Sequence, residues 1–292
     1  GRLYEVGFDG ENYQEIVTPT LTNIIKAIWS PDKEKIIGVF SENNIIKKYF
    51  FDYSTSQTAQ YNIKISYLTL SPDSKKIAYQ FLDTASGQHN ISVANPDGTN
   101  WKSIFKTRLD NLIIDWPTKE KISLRQPASG LAQGILYALN SETGDFVKIL
   151  SDIFGLNIKW SPKGDNILFS FTDSRGKNPQ IKLADSAGAN TKDLGLAGLV
   201  DKCVWSNDNQ TIFCALPQNL SVNATWPDDY YKGLILLSDD FYKIDLATNE
   251  KTKIIGSTDE MDYDAQDMLL SPKEDYLFFI NRLNGLLYSL KL

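Results

Sequence analysis

The sequence predicts an all-β protein, a β-propeller of four-stranded antiparallel blades, and three observations predict it. A hairpin phrase returns six times, turning at Pro31, Pro72, Pro117, Pro162, Asn207 and Pro272. An apolar residue follows each turn at a fixed distance, at Ile36, Ile77, Ile122, Ile167, Ile212 and Leu277. The turns lie 41, 45, 45, 45 and 65 residues apart, a period that belongs to arrays of equal supersecondary units. No stretch sustains a long apolar period of 3.6 residues, so helices should be few.

The unit around Trp160 shows how each element arises. Residues 157–160 alternate polar and apolar, Ser161-Pro162-Lys163-Gly164-Asp165 breaks the pattern, and Ile167-Leu168-Phe169 resumes it. Proline pre-sets the backbone of a tight turn and glycine tolerates positive φ, so the segment reads as a β-hairpin. A second hairpin follows: Ile181-Lys182-Leu183, a turn over 185–190, then a strand over 191–194. The unit is therefore four strands, A to D. The second hairpin recurs with its own turn residues at 95–98, 140–144 and 248–250, each containing Asn with Asp, Gly or Glu. One blade leaves the faces of its sheet bare, and stacked neighbours bury them for one another.

Pairing Trp205 with Ile212 predicts a register that places Cys203 opposite Cys214. The equivalent pairs are Ala27/Gly38, Leu68/Tyr79, Ile113/Leu124, Ile158/Phe169 and Met268/Phe279, all apolar or small, as a face between blades requires. At the ends, residues 2–7 and 13–17 read as strands C and D, and the last unit stops after a C-like run over 285–290. A six-bladed closure completed by an N-terminal strand and a seven-bladed closure both fit. Residues 1–292 read as a single propeller domain, a fragment of a longer chain, with an insertion over 217–240 in the fifth repeat.

Composition bounds the function. The chain is 42% hydrophobic and 12% aromatic, enough for a large core. Its net charge of −6, with the acids scattered, argues against a phosphate-binding surface, so no nucleic-acid partner is expected. No apolar run approaches the roughly 20 residues of a membrane span.

Chemistry-bearing residues are few. The sole histidine, His89, falls in a polar Gly87-Gln88-His89-Asn90 segment and reads as a solvated loop residue. With one histidine and no Gly-x-Ser-x-Gly elbow, no catalytic relay is expected. Cys203 and Cys214 are the only cysteines. Their facing positions favour a cross-strand disulfide and an oxidising compartment over two buried thiols in an apolar slot. No metal site is expected beside them, for want of further Cys or His. Asp259, Glu260, Asp262, Asp264 and Asp267 read as a solvated acidic loop, because their spacing is not that of a calcium-binding loop.

The insertion is the one large break in the repeat. It carries Trp226-Pro227-Asp228-Asp229-Tyr230-Tyr231. Long structured loops on a rigid scaffold hold function, and exposed Trp and Tyr make interface anchors. Trp226, Asp228, Asp229, Tyr230 and Tyr231 are therefore the candidate binding residues. The competing reading is that these aromatics fold back as a cap on their own blade.

The phrases Trp29-Ser30-Pro31-Asp32, Leu70-Ser71-Pro72-Asp73 and Trp160-Ser161-Pro162-Lys163-Gly164, with the hairpin Ile91-Ser92-Val93-Ala94-Asn95-Pro96-Asp97-Gly98, resemble the WD40-like repeat of TolB-type β-propellers. The resemblance covers nearly the whole chain outside residues 217–240. The Trp116-Pro117 unit departs from it by losing the Ser, and the Asn207 unit by losing the Pro. It implies a non-enzymatic scaffold of a bacterial envelope or a secreted protein, binding a protein or peptide without a cofactor, as a monomer. Similar propellers gate peptidases. A hydrolase accessory whose catalytic domain lies outside this chain is therefore the alternative.

Overall fold

The computed structural model describes residues 4–15, 22–258 and 261–292. The fold is an all-β, six-bladed propeller. Strands β1 (Tyr4–Glu5) and β2 (Gln14–Glu15) pair antiparallel as a short hairpin of their own. Blade 1 is β3 (Ile24–Trp29), β4 (Lys35–Glu42), β5 (Ile45–Asp52) and β6 (Thr58–Gln60). Blade 2 is β7 (Ile65–Leu70), β8 (Ile77–Asp83), β9 (Gln88–Ala94) and β10 (Lys102–Thr107). Blade 3 is β11 (Ile113–Thr118), β12 (Lys121–Arg125), β13 (Gln133–Asn140) and β14 (Phe146–Phe154). Blade 4 is β15 (Asn157–Trp160), β16 (Asn166–Phe171), β17 (Gln180–Asp185) and β18 (Lys192–Ala197). Blade 5 is β19 (Cys203–Trp205), β20 (Thr211–Pro217), β21 (Asp239–Asp245) and β22 (Lys251–Gly256). Among the described residues, blade 6 is β23 (Ala265–Leu270), β24 (Tyr276–Asn281) and β25 (Leu286–Lys291).

The chain falls into two compact units. The first contains β1, β2, blades 1 and 2 and the 113–127 and 136–148 parts of blade 3. The second contains residues 6–12, 128–135 and everything from Ile149 onward. Within each, neighbouring blades share an apolar layer. In the first unit Ile37, Phe50, Leu68 and Tyr79 join blades 1 and 2, and Ala78, Ile91, Trp116 and Leu124 join blades 2 and 3. In the second, Leu168, Ile181, Trp205 and Cys214 join blades 4 and 5, and Phe213, Phe241, Met268 and Phe279 join blades 5 and 6. The second strand of each blade is covered on both faces. This is why Ile36-Ile37, Ile77-Ala78 and Ile167-Leu168-Phe169 are apolar without alternation.

The repeated Ser-Pro phrase owes its persistence to the serine. Ser30 Oγ accepts from the Lys35 N–H at 2.9 Å and donates to Asp32 at 2.5 Å. Ser71 does the same with Lys76 and Asp73, and Ser271 with Tyr276 and Asp275. Each is buried, so each hydroxyl answers a turn N–H that water does not reach. Three residues past the serine the backbone is left-handed, at Lys33, Ser74, Gly164, Asn209 and Glu274. At three of these the side chain latches the preceding blade. Ser74 Oγ accepts from Asp32 N, Asn209 Nδ2 donates to Asp165 at 2.6 Å, and Glu274 accepts from Ser206 Oγ at 2.6 Å.

The register is as expected at Cys203/Cys214, Ala27/Gly38, Leu68/Tyr79 and Ile158/Phe169. Two pairs need correction. Leu124 faces Ile114, not Ile113. The unit at Pro117 lacks the turn serine, its loop is one residue shorter, and the facing pairs slip by one. In blade 6 the ladder shifts between Gln266 and Leu269, around Asp267 at φ 52°, so Phe278 faces Leu269 and Met268 falls in the irregularity. His89 is likewise not in a loop. It is the second residue of β9, half-buried opposite Leu82. Of the expected N-terminal strands, residues 2, 3, 16 and 17 lie outside the described residues, as do Asp259 and Glu260.

Candidate functional site

The inserted segment leaves β20 at Pro217 and returns at Asp239. It folds around its own small core. A single helical turn, α1 (Asp228–Tyr231), starts after Pro227 and stops at Gly233, whose φ of 73° ends the turn. Pro227 suits the start because it has no N–H to leave unpaired, and Asp228 and Asp229 favour the positive end of the turn. Asp229 Oδ2 accepts from the Thr225 N–H at 2.7 Å.

The aromatics divide by role. Trp226 is 1% exposed and packs with Leu199, Ala224, Tyr230 and Leu237. Its indole N–H donates to the Ser221 carbonyl at 3.2 Å. Trp226 and Tyr230 are therefore not exposed anchors; with Ala224 and Leu237 they form the segment's own core, against which Leu220 and Ile235 pack. Asp228 ties the segment to another loop, accepting from Ser129 Oγ at 2.9 Å and from the Gly130 N–H at 2.7 Å. The backbones meet closely there. A Cβ on Gly130 would stand 2.0 Å from the Trp226 carbonyl oxygen. Tyr231 lies at the surface, with its hydroxyl donating to Asp201 and accepting from Asn157 Nδ2.

Beneath Tyr230 lies a buried ionic network that the sequence reading missed. Lys202 Nζ donates to Asp239 Oδ2 at 2.6 Å, Asp264 Oδ1 at 2.7 Å and the Ala265 carbonyl at 2.8 Å. Arg282 pairs with Asp264 Oδ2 at 3.2 Å and stacks on the Tyr230 ring at 4.0 Å. The Tyr230 hydroxyl donates to Asp264 Oδ1 at 2.9 Å, and the Leu237 N–H to Asp264 Oδ2 at 3.1 Å. Two cations thus meet two carboxylates, and the insertion is bonded to the network at Tyr230 and Leu237. Burial alone would lower the Lys202 ammonium, but Asp239, Tyr230 and Asp264 more than offset this and hold it above the usual lysine range. Burial, helped by Asp264 against the pull of Lys202 and Arg282, pushes the Tyr230 hydroxyl up to about 12, so it stays a donor. Asp264 belongs to the expected solvated acidic loop, yet it is fully buried. A lysine beside the apolar Val200 and Cys203 is the one signal of this network in the sequence.

Three aliphatic side chains of the insertion are exposed among polar neighbours. Val222 is 82% exposed, Leu234 69% and Leu236 59%. Leu131, beside Gly130 on the loop that docks against the insertion, is 66% exposed. The two cysteines form a disulfide, buried in the layer between blades 4 and 5. Among the described residues, no group of three or more His, Cys, Asp or Glu is placed to hold a metal ion. None of the helices described is long and apolar enough to cross a membrane.

No family model matches the sequence, and no curated protein matches it. Solved structures do. The chain superposes over its full length on tricorn protease, with a TM-score of 0.63 and 11% identity, and spans 31% of that chain. It matches oligogalacturonate lyase in complex with manganese at a TM-score of 0.59 and 12% identity, covering 91% of this chain and 76% of that one. It matches TolB from Acinetobacter baumannii at a TM-score of 0.57 and 16% identity, covering 89% of this chain and 60% of that one. The fold is a TolB-like β-propeller. At these identities the likeness is one of fold, and a TolB-like propeller takes its function from its particular loops.

Proposed function

We propose that this propeller is a non-enzymatic scaffold that binds a protein or peptide through the face bearing the insertion. One observation carries the reading. The insertion is fixed from beneath by the Lys202 network and from the side by Asp228, yet it turns Val222, Leu234 and Leu236 to solvent. Ordering this segment at the moment of binding costs little, because it is already held, so its apolar side chains are available as a preformed contact surface. Tyr231 contributes at the surface. Trp226, Asp228, Asp229 and Tyr230 act by holding the segment in place.

The disulfide supports work outside the cytoplasm, in a bacterial envelope or after secretion. The scaffold acts as a monomer on this reading, without cofactor. The likeness to tricorn protease favours one second reading, a propeller that serves a peptidase whose catalytic domain lies elsewhere. A hydrolase domain encoded in the same full-length protein would favour that reading.

The test is a pull-down from the native envelope fraction with the wild-type chain and with the triple variant Val222→Glu, Leu234→Glu, Leu236→Glu. All three side chains are exposed, so the variant keeps the fold. A discrete polypeptide captured by the wild type and lost by the variant supports the proposal. The same polypeptide captured by both refutes the assigned face.

A further inference from the structure

We propose that a cleft on the first unit binds a neutral oligosaccharide, a ligand class separate from the protein or peptide site above. The cleft encloses about 500 Å³ against the face of blade 2, beside the end of β6. That volume lies within the ~300–1,000 Å³ of small-ligand pockets and is too small for a folded partner. Its walls include the rings of Tyr61 and Tyr79, both buried, and the indole of Trp101. The β9–β10 turn fixes Tyr61, through a hydroxyl bond to the Pro96 carbonyl and the close approach of Gly98 at φ 84°. Trp101, in contrast, is 66% exposed and has no ring partner among the described residues. The open indole of Trp101 offers a flat apolar face, which suits the C–H face of a pyranose, while the buried Tyr61 and Tyr79 close the wall beside it.

The same walls carry amides held by one end. Asn62 Oδ1 accepts from the Lys64 N–H at 2.9 Å, and Asn90 Oδ1 accepts from Ser103 Oγ at 3.3 Å. Each bond orients the side chain and leaves its NH₂ group without a protein partner among the described residues. Both residues line the cleft, so each brings an unpartnered amide N–H pair that a sugar hydroxyl could accept from. The ionised groups lining it are Asp83 and Asp97, with no Lys or Arg. A uronate or phosphate would be repelled. Both carboxylates are also engaged already, Asp97 by Thr99 of its own turn and by Gln57 between β5 and β6, and Asp83 by Ala85 and Ser86 of its own turn. They offer little to a cationic peptide, which leaves an uncharged, hydroxyl-rich ligand as the best fit.

Ligand-observed NMR and tryptophan fluorescence on the intact protein test this. The probes are cellopentaose, maltopentaose, mannopentaose and chitopentaose, with trigalacturonate and pentalysine as charged counter-probes. At least one neutral oligosaccharide should bind with a millimolar or tighter Kd. Trp101→Ala should weaken it about tenfold or more, a loss of about 1.4 kcal/mol. Asn90→Ala should weaken it several-fold, each variant keeping its near-UV circular dichroism. Absence of binding by every neutral probe overturns the proposal. So does binding that survives both Trp101→Ala and Asn90→Ala, or a preference for either charged probe.

Discussion

Lys202 Nζ stands 2.7 Å from Asp264 Oδ1 across 62 residues of sequence, with both side chains shut off from solvent. That bond joins the entrance of blade 5 to the entrance of blade 6, and through Tyr230 and Leu237 it also holds the insertion. A buried pair of this kind does little for stability compared with apolar packing, but breaking it leaves an uncompensated charge. Lys202→Met should therefore lower the unfolding free energy by about 3–5 kcal/mol, read from urea denaturation. A loss below about 1 kcal/mol would mean that the carboxylates find water instead.

The contact between Gly130 and the Trp226 carbonyl fixes the insertion from the side. A Cβ at 2.0 Å from a backbone oxygen forces the two segments apart. Gly130→Ala should open the 218–238 segment to limited proteolysis and red-shift the emission of buried Trp226, while the blades stay folded by far-UV circular dichroism. An unchanged digestion pattern would show that the insertion does not depend on this approach.

The turn serines predict a pH dependence. Burial alone would raise Asp32, but hydrogen bonds from the Ser30 hydroxyl, the Glu34 N–H and Lys35 hold it down at about 2. A carboxyl depressed by folding stabilises the native state above its unfolded pKa of about 3.9, and that stabilisation is lost as pH falls through the folded value. Ser30→Ala should therefore cost about 1 kcal/mol at neutral pH, a figure kept small because the partly exposed Asp32 is screened by solvent, and the difference from wild type should shrink between about pH 4 and pH 2. Urea midpoints across that range are the check, and a constant difference would contradict the account.

The disulfide predicts no free thiol in the denatured, unreduced protein and two after reduction. Replacing both cysteines with Ala removes a cross-link between residues 11 apart, and should cost about 2–4 kcal/mol. Thiol titration and thermal melts read the two outcomes. Free thiols in protein purified from its native compartment would also remove the argument for an oxidising location.

Most of the frame was legible in the sequence, because its causes are local. A Ser-Pro turn fixes its own hairpin, so spacing alone placed Cys203 opposite Cys214. The register failed where one residue was missing, at the Pro117 turn, or where a left-handed residue broke the ladder, at Asp267. The insertion showed itself as a gap in the repeat, but the fate of its aromatics did not. Whether Trp226 and Tyr230 face outward depends on Leu199, Leu237 and Arg282, which the sequence scatters and only the fold assembles. Asp264 looked like one acid in a polar run for the same reason, since its partners Lys202 and Arg282 lie in other elements.

Site-specific photocrosslinking in the cells that make the protein tests the central claim most directly. A benzophenone amino acid replaces Leu234 on the insertion in one variant and Phe146 on β14, 43% exposed, in another. A discrete crosslinked polypeptide from position 234, absent from position 146, is the predicted result. Equal crosslinking from both positions, or none from position 234, would contradict the assignment of the insertion face as the binding surface.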